Sequence, residues 1–359
     1  MAVFLIYSCS PIIINFVLHL IGYNKDNDQE FKKKFLIIFG LVMWFMIACR
    51  YYGNGSGDSE IYYYNWRSIS NIDFSNLFSY VNFEPGYMIS VWALSHIFPN
   101  PQFCFVFSGL FFSISVCLFI YRNSENPVMS ALVFNCLELF IFMVQGLRQS
   151  IAMCICLFAI EKIKKRQILP FILLIALAMS FHASAVVFVV AYFLYGKELN
   201  GKSIVLYGIG SFVAIYFLPY LFSFVNLFVR EKYNYNSAMD DGTGSVPIFI
   251  NLSILALAFL MRPRENDDAR SSEYSFFFYM VFITMLMLIL RNNVSGIIER
   301  ISFFFAFGQM AIIPMVINQF PIKRDRYIVA FVVSVLCIGV IVHKAGYTSL
   351  VPYRFFWEI

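Results

Sequence analysis

The chain has 359 residues, of which 60% are hydrophobic and 13% charged, with a net charge of +5. A soluble domain is about a quarter charged, and here apolar runs close to the ~20 residues that cross a bilayer recur along the chain, which excludes a soluble globular protein. No segment alternates with period 2, which excludes a membrane barrel. The expected fold class is all-α, a polytopic integral membrane protein forming a single domain over residues 1–359.

Met1 to Ile21 lacks a basic start and a small-residue cleavage site, so it reads as a first span and not as a signal peptide. Further apolar stretches fall at 35–50, 86–98, 102–121, 128–145, 148–160, 168–180, 183–195, 203–228, 247–261, 274–290, 301–320 and 327–345. The cysteines lie in or beside these runs and read as packing residues. Lys32 to Lys34, Lys162 to Arg166, Arg262 to Arg270 and Lys323 to Arg326 form the basic loops, which the positive-inside bias assigns to the cytoplasm. If every stretch crossed, the Lys162 cluster would fall outside. The short stretch at 86–98, bounded by Pro85, Pro99 and Pro101, removes the conflict by dipping in and returning. About 12 transmembrane helices plus a re-entrant segment follow, with both termini outside. Outer loops fall near 51–83 and 229–246, and the second, polar and glycine-bearing, reads as a lid.

Ten of the twelve lysines fall inside, the exceptions being Lys232 and Lys344. Arg50, Arg67, Arg148, Arg230, Arg291, Arg300 and Arg354 instead lie outside or at outer span ends. A guanidinium fork grips phosphate oxygens bidentately where lysine acts as a point charge, so this split points to an anionic ligand at the outer leaflet. Interfacial arginines also snorkel to lipid headgroups, and for each of them both readings stand. Arg148 follows Gly146 at a predicted helix start, where free N–H groups and the macrodipole favour an anion.

His182 has no other charged or histidine neighbour between Pro170 and Gly196. Imidazole suits acid–base work, and it equally suits a hydrogen-bonded structural role. The loop after Arg50 sets Asp58, Glu60 and Arg67 among Tyr51, Tyr52, Tyr62, Tyr63, Tyr64 and Trp66. Carboxylates there bind hydroxyls and rings stack on sugar faces, or the rings form an interfacial belt. Glu84 and Glu138 are further candidates. Glu138 lies deep in a span, near one stripe with Asn135, Gln145 and Gln149, and its expected partner is an arginine. No metal-ligand cluster, phosphate-binding glycine loop or Asp-x-Asp pair occurs, so neither metal nor cofactor is expected.

Six short motifs follow one another. They are Arg50-x-x-Gly53 with Asp58-x-x-x-Tyr62, Glu84-Pro85-Gly86-Tyr87, Gly146-Leu147-Arg148-Gln149 with Ala152, Ser180-Phe181-His182-x-Ser184-Ala185, tyrosines at 233 and 235, and Glu299-Arg300-Ile301-Ser302 with aromatics after it. In this order they resemble the EpsG branch of Wzy-type polysaccharide polymerases over almost the whole chain. The chain departs from the pattern at Asp58, which is followed by Ser59 where an aromatic is common.

The resemblance implies a GT-C-like membrane glycosyltransferase that joins undecaprenyl-diphosphate-linked oligosaccharide repeats at the outer face of the bacterial cytoplasmic membrane. On this reading His182, Asp58, Arg148 and Glu299 carry the chemistry, while Arg50, Arg291, Arg300, Tyr62 and Glu84 bind substrate. Its partners are the lipid-linked oligosaccharide and membrane lipid, with a chain-length regulator and a flippase in the same machinery, and no nucleic acid. An O-antigen ligase uses the same donor and stays open as an alternative. A lipid-linked oligosaccharide flippase or other transporter also needs intramembrane charges, but should carry an internal repeat and mid-bilayer charges.

Overall fold

A computed structural model describes residues 1–23, 28–55, 57–80, 83–225, 245–263, 268–294 and 297–358. Among them the secondary structure is helical, with no strand beyond an isolated bridge between Arg50 and Phe355. Phenylalanines fill the interior, among them Phe39, Phe105, Phe112, Phe134, Phe140 and Phe188, all fully buried. In hydrocarbon such contacts hold helices together by close packing, because lipid tails are as apolar as the side chains.

The chain opens with α1 (Ala2–Ser8) and α2 (Ser10–Leu20), bent by 60° at Cys9. Next comes α3 (Asp28–Ala48), with Lys32 in its first turns, whose Nζ donates to the Ser124 carbonyl at 2.7 Å, and Arg50 just beyond its end. A helical cap follows, made of α4 (Gly57–Ile69), a 3-10 turn at Phe74–Asn76, α5 (Leu77–Tyr80) and α6 (Pro85–Ile97). Then α7 (Phe103–Asn123) returns to the Ser124 end.

Both ends of α6 are tied to the same end of the bundle. Its start joins residues 148 and 182, and just beyond its finish the Gln102 amide donates to the carbonyls of Ala48 and Arg50 at 2.7 and 3.0 Å. Trp92 anchors the helix to the cap by donating to the Ile72 carbonyl at 2.9 Å.

α8 (Pro127–Cys136) and α9 (Leu139–Gln145) meet at a 57° bend, where Glu138 adopts φ 74°, a left-handed conformation rare for a side chain with a Cβ. The stripe expected to join Asn135, Glu138, Gln145 and Gln149 is therefore broken, and Asn135 instead donates to the Tyr7 and Ser8 carbonyls. α10 (Leu147–Lys164) and α11 (Ile168–Met179) form an antiparallel pair. The stretch expected as a regular helix at 183–195 is a 3-10 helix, Ala183–Val190, followed by α12 (Ala191–Leu194). A 3-10 helix rises about 2.0 Å per residue against 1.5 Å in an α-helix, so this short run carries the chain further. The Arg166 guanidinium fixes its far end by donating to the Tyr192 carbonyl at 3.0 Å and to that of Tyr195.

α13 (Gly201–Val225), α14 (Val246–Leu260) and α15 (Asp268–Val294) follow. α16 (Ile297–Ala306) and α17 (Gly308–Asn318) form a third bent pair, at 45°, before α18 (Lys323–Lys344). A Cβ on Gly308 would lie 3.0 Å from the Phe277 carbonyl oxygen, so glycine permits the close approach of α17 to α15. The expected lid at 229–246 lies outside the described residues up to 244.

By length and composition, Phe103–Asn123, Arg270–Arg291 and Lys323–Lys344 are apolar enough to cross a membrane, and the three bent pairs bring the total among the described residues to six. The bundle has two chemically distinct ends. At one, Lys164 pairs with Glu273 at 2.8 Å, Arg270 with Glu125 at 3.0 Å, and Lys32 caps Ser124. α10 carries Lys164 there and Arg148 at its other end, roughly 24 Å away at 1.5 Å per residue. At that opposite end the final residues fold over the 49–55 loop, with Tyr51 N–H donating to the Arg354 carbonyl at 2.9 Å and Phe356 N–H to that of Cys49 at 3.0 Å.

Candidate active site

Glu84 is the centre of the Arg148 end. Pro85 starts α6 directly after it, and the missing proline N–H is no loss at a first helical position. The side chain is 2% exposed, so its carboxylate needs partners on both oxygens. Oε2 meets Nη1 of Arg148; Oε1 accepts the Ala183 N–H at 3.2 Å and faces Nδ1 of His182 at 3.1 Å. Two motifs read separately along the chain are pressed together here. Gly86 N–H donates to the Ser180 carbonyl at 2.8 Å, and a Cβ on Gly86 would lie 2.8 Å from that same oxygen, so glycine is required. Arg148 also stacks over the Phe83 ring at 4.0 Å, a cation–π contact that holds the fork flat.

Asp58, in the first turn of α4, pairs with Arg300 of α16 at 3.0 Å, and their side chains are 36% and 41% exposed. Arg291, in the last turn of α15, pairs with Glu299 in the first turn of α16 at 2.8 Å and is buried. The three pairs are neighbours. The amide of Gln149, next to Arg148, donates to the Arg300 carbonyl at 2.5 Å. Tyr62 bridges from the other side, one turn beyond Asp58, with its ring edge-on to Tyr87 at 5.8 Å. Burial raises the Tyr62 phenol above its ordinary value; the Arg148 charge opposes this, the Asp58 charge adds to it, and Arg300 opposes it again. All three of those charges therefore act on one side chain.

Arg50 sits beneath this surface, fully buried. It donates to Ser59 Oγ at 3.3 Å and to the Asn54 carbonyl at 3.4 Å and lies over the Phe105 ring at 4.0 Å, contacts that hold the loop leading into α4. The loop aromatics pack mostly on one another: Tyr52 stacks on Tyr63 at 4.4 Å, and Trp66 donates to the Phe98 carbonyl at 2.9 Å. Tyr64 remains exposed.

Glu138 meets Lys344, at the end of α18, and not an arginine. The signal was available, because Lys344 broke the inward pattern of the lysines and Glu138 was the carboxylate deepest in a span. Beside them the Gln309 amide donates to Asn251 Oδ1 at 2.8 Å. The described residues contain no cluster of three His, Cys, Asp or Glu suited to a metal, and every cysteine is a free thiol.

The sequence model of the EpsG family matches residues 33–355, about nine-tenths of the chain. The chain belongs to the EpsG family. This is the family of Wzy-type polysaccharide polymerases, and membership together with the apolar helices makes this a membrane protein of polysaccharide-polymerase type. No curated protein and no solved structure matches the chain. Glu84, Arg148, His182, Asp58, Arg291, Glu299 and Arg300 all fall within the matched EpsG span.

Proposed function

We propose that the protein joins undecaprenyl-diphosphate-linked oligosaccharide repeats at the outer face of a bacterial cytoplasmic membrane. The observation that carries this reading is the Arg148–Glu84–His182 trio beside two further arginine–carboxylate pairs at one end of the bundle. The acceptor hydroxyl of one repeat attacks the anomeric carbon of another, and the bond from that carbon to the diphosphate oxygen breaks. Arg300, Arg291 and Arg148 neutralise the charge that develops on the leaving diphosphate, the task for which preorganised guanidinium groups suffice without a divalent metal. The proton of the attacking hydroxyl passes to His182. Its Nδ1 faces Glu84, which orients the ring for the imidazole to act as the base, the division of labour of a histidine–carboxylate dyad. Asp58, at the open edge, binds a sugar hydroxyl. Arg50 and Tyr62 hold α4 in place, and Glu299 keeps Arg291 aligned.

The twelve-span, GT-C-like topology belongs to the same proposal. α1–α2, α3, α7, α8–α9, α10, α11, residues 183–194, α13, α14, α15, α16–α17 and α18 are the crossings, while α6 starts and finishes on the outer side. Single cysteines in place of Gln145 and Lys164, in a background without native cysteine, test the sidedness with an impermeant thiol reagent on intact cells. Position 145 should label and 164 should be protected; the reverse overturns it.

The decisive experiment is polymerisation by purified protein from lipid-linked repeats in excess chelator, read as a ladder of products. Activity restored only by magnesium or manganese overturns the metal-free chemistry. Transfer of the glycan to a different acceptor, without elongation of the repeat, identifies a ligase instead.

A further inference from the structure

Among the described residues, two apolar grooves of ligand size lie on the flanks of the bundle. One, of about 510 Å³, lies between α3 and α7 along Leu36, Leu41, Leu110 and Ile114. The other, of about 390 Å³, lies between α14 and α18 over α17, along Phe249, Ile254, Ile313, Val333 and Leu336. Both fall within the roughly 300–1,000 Å³ of ordinary small-molecule sites. Their inner ends differ. The α3–α7 groove has Lys33 among its lining, from the lysine-rich end of the bundle.

The α14–α18 groove shares Leu137, Ile250 and Val340 with a small cavity of about 20 Å³. That cavity is lined by Glu138, Lys344, Asn251, Thr284, Ser302 and Gln309. Its far wall, Leu288 and Ser302, lies within one helical turn of Arg291 and Arg300. Hydrocarbon-like walls are therefore followed by a polar neck with one lysine–glutamate pair and, within a helical turn of it, by the arginine pairs. Apolar, polar and cationic surfaces succeed one another in the order that a long-chain lipid diphosphate presents its tail, its junction and its head. A charged pair kept in such a place is a functional feature by default, because desolvating it is costly.

We propose that the α14–α18 groove seats the single long hydrocarbon tail of the lipid-diphosphate substrate, and that the Glu138–Lys344 neck marks where tail gives way to diphosphate. This rests on the polymerase reading and deepens it. Charge continuity decides between the grooves: the larger one offers a tail more room, yet its cations, Lys33 in the lining and Arg122 beside Tyr121, lie at the lysine-rich end, away from Arg148, Arg291 and Arg300. Glu138 balances Lys344, and Lys344 adds a cation between tail and arginines.

The test places a benzophenone amino acid at Leu336 in one protein and at Ile114 in another, each in membranes with a labelled long-chain polyprenyl diphosphate or with labelled phosphatidylglycerol. The diphosphate should be captured at 336 at least about tenfold more than at 114, a difference of some 1.4 kcal/mol in occupancy, with no such preference for phosphatidylglycerol. Equal capture of the diphosphate at both positions, or of phosphatidylglycerol at 336 as strongly as the diphosphate, overturns the proposal. As a second arm, Val333→Trp fills the groove and should lower retention of the polyprenyl diphosphate about tenfold or more, while Ile114→Trp leaves it unchanged. Both variants are first checked for an unaltered elution profile. Retention is read without polymerisation, so the two readings fail separately. Selective capture by a protein that never elongates would refute the polymerase and keep the groove, whereas normal elongation and retention by Val333→Trp would refute the groove and keep the polymerase.

Discussion

The Glu84–Arg148–His182 centre and the Asp58–Arg300 pair use the same groups in opposite surroundings. Glu84 and Arg148 are 2% and 12% exposed, and the Glu84 carboxylate is engaged on both oxygens. Asp58 and Arg300 are 36% and 41% exposed and face each other across the gap between α4 and α16. A buried pair is rigid because losing either partner strands a charge in a medium of low dielectric. A half-exposed pair is close to neutral in stability, since water competes for both ends. The first can therefore hold a histidine in a fixed orientation, and the second can exchange its partner for a ligand at little cost. On the proposed function, the site thus combines a fixed acid–base element with an exchangeable anion-binding one.

Substitutions that treat the two centres differently test this contrast, beginning with the largest effect. His182→Gln keeps a hydrogen-bonding group but cannot accept a proton at neutral pH, so the chemical step should slow by about 10² to 10⁴ with retention of a lipid-diphosphate analogue nearly intact. A near-normal single-turnover rate would make His182 structural and move the search for the base to Asp58 or Glu299. Glu84→Ala strands Arg148 and should destabilise the protein by about 3–5 kcal/mol, read as a lower thermal midpoint in detergent. An unchanged midpoint would mean that the centre is not the rigid element described.

Arg148→Lys keeps the charge but loses the fork. The loss of one charge-assisted bond, about 1.5–3 kcal/mol, should slow polymerisation at least tenfold. If this variant is silent in both rate and retention, the diphosphate lies nearer Arg291 and Arg300. Asp58→Asn should move stability by no more than about 1 kcal/mol, the range of exposed pairs. Its effect should instead appear in the acceptor KM, and a stability loss as large as that of Glu84→Ala would erase the contrast between the two centres.

Much of this was legible along the chain. Composition and the spacing of apolar runs established a helical membrane protein, because hydropathy is a local property that each segment carries wherever it folds. The separation of the Lys162 to Arg166 cluster from Arg148 along one apolar run is matched by two ends of the bundle, Lys164 with Glu273 at one and Arg148 with Glu84 at the other. The brackets of proline around 86–98 marked the helix whose two ends are tied to one end of the bundle. The order of the short motifs pointed to the EpsG family.

Pairing was decided only by the tertiary structure. Arg148 finds Glu84 across 64 residues, and Arg300 finds Asp58 across 242. Nothing in spacing singles out Glu84 over Glu138 as the partner of Arg148, and the stripe assumed for Glu138 ends where its own backbone turns left-handed. Arg50 carries the same charge as Arg300, yet one is fully buried as a brace for α4 and the other stands at the open edge. A side chain's charge is fixed by its type; what that charge can do depends on which elements fold over it, and burial sets the dielectric that makes the same ion pair either a rigid support or an exchangeable site.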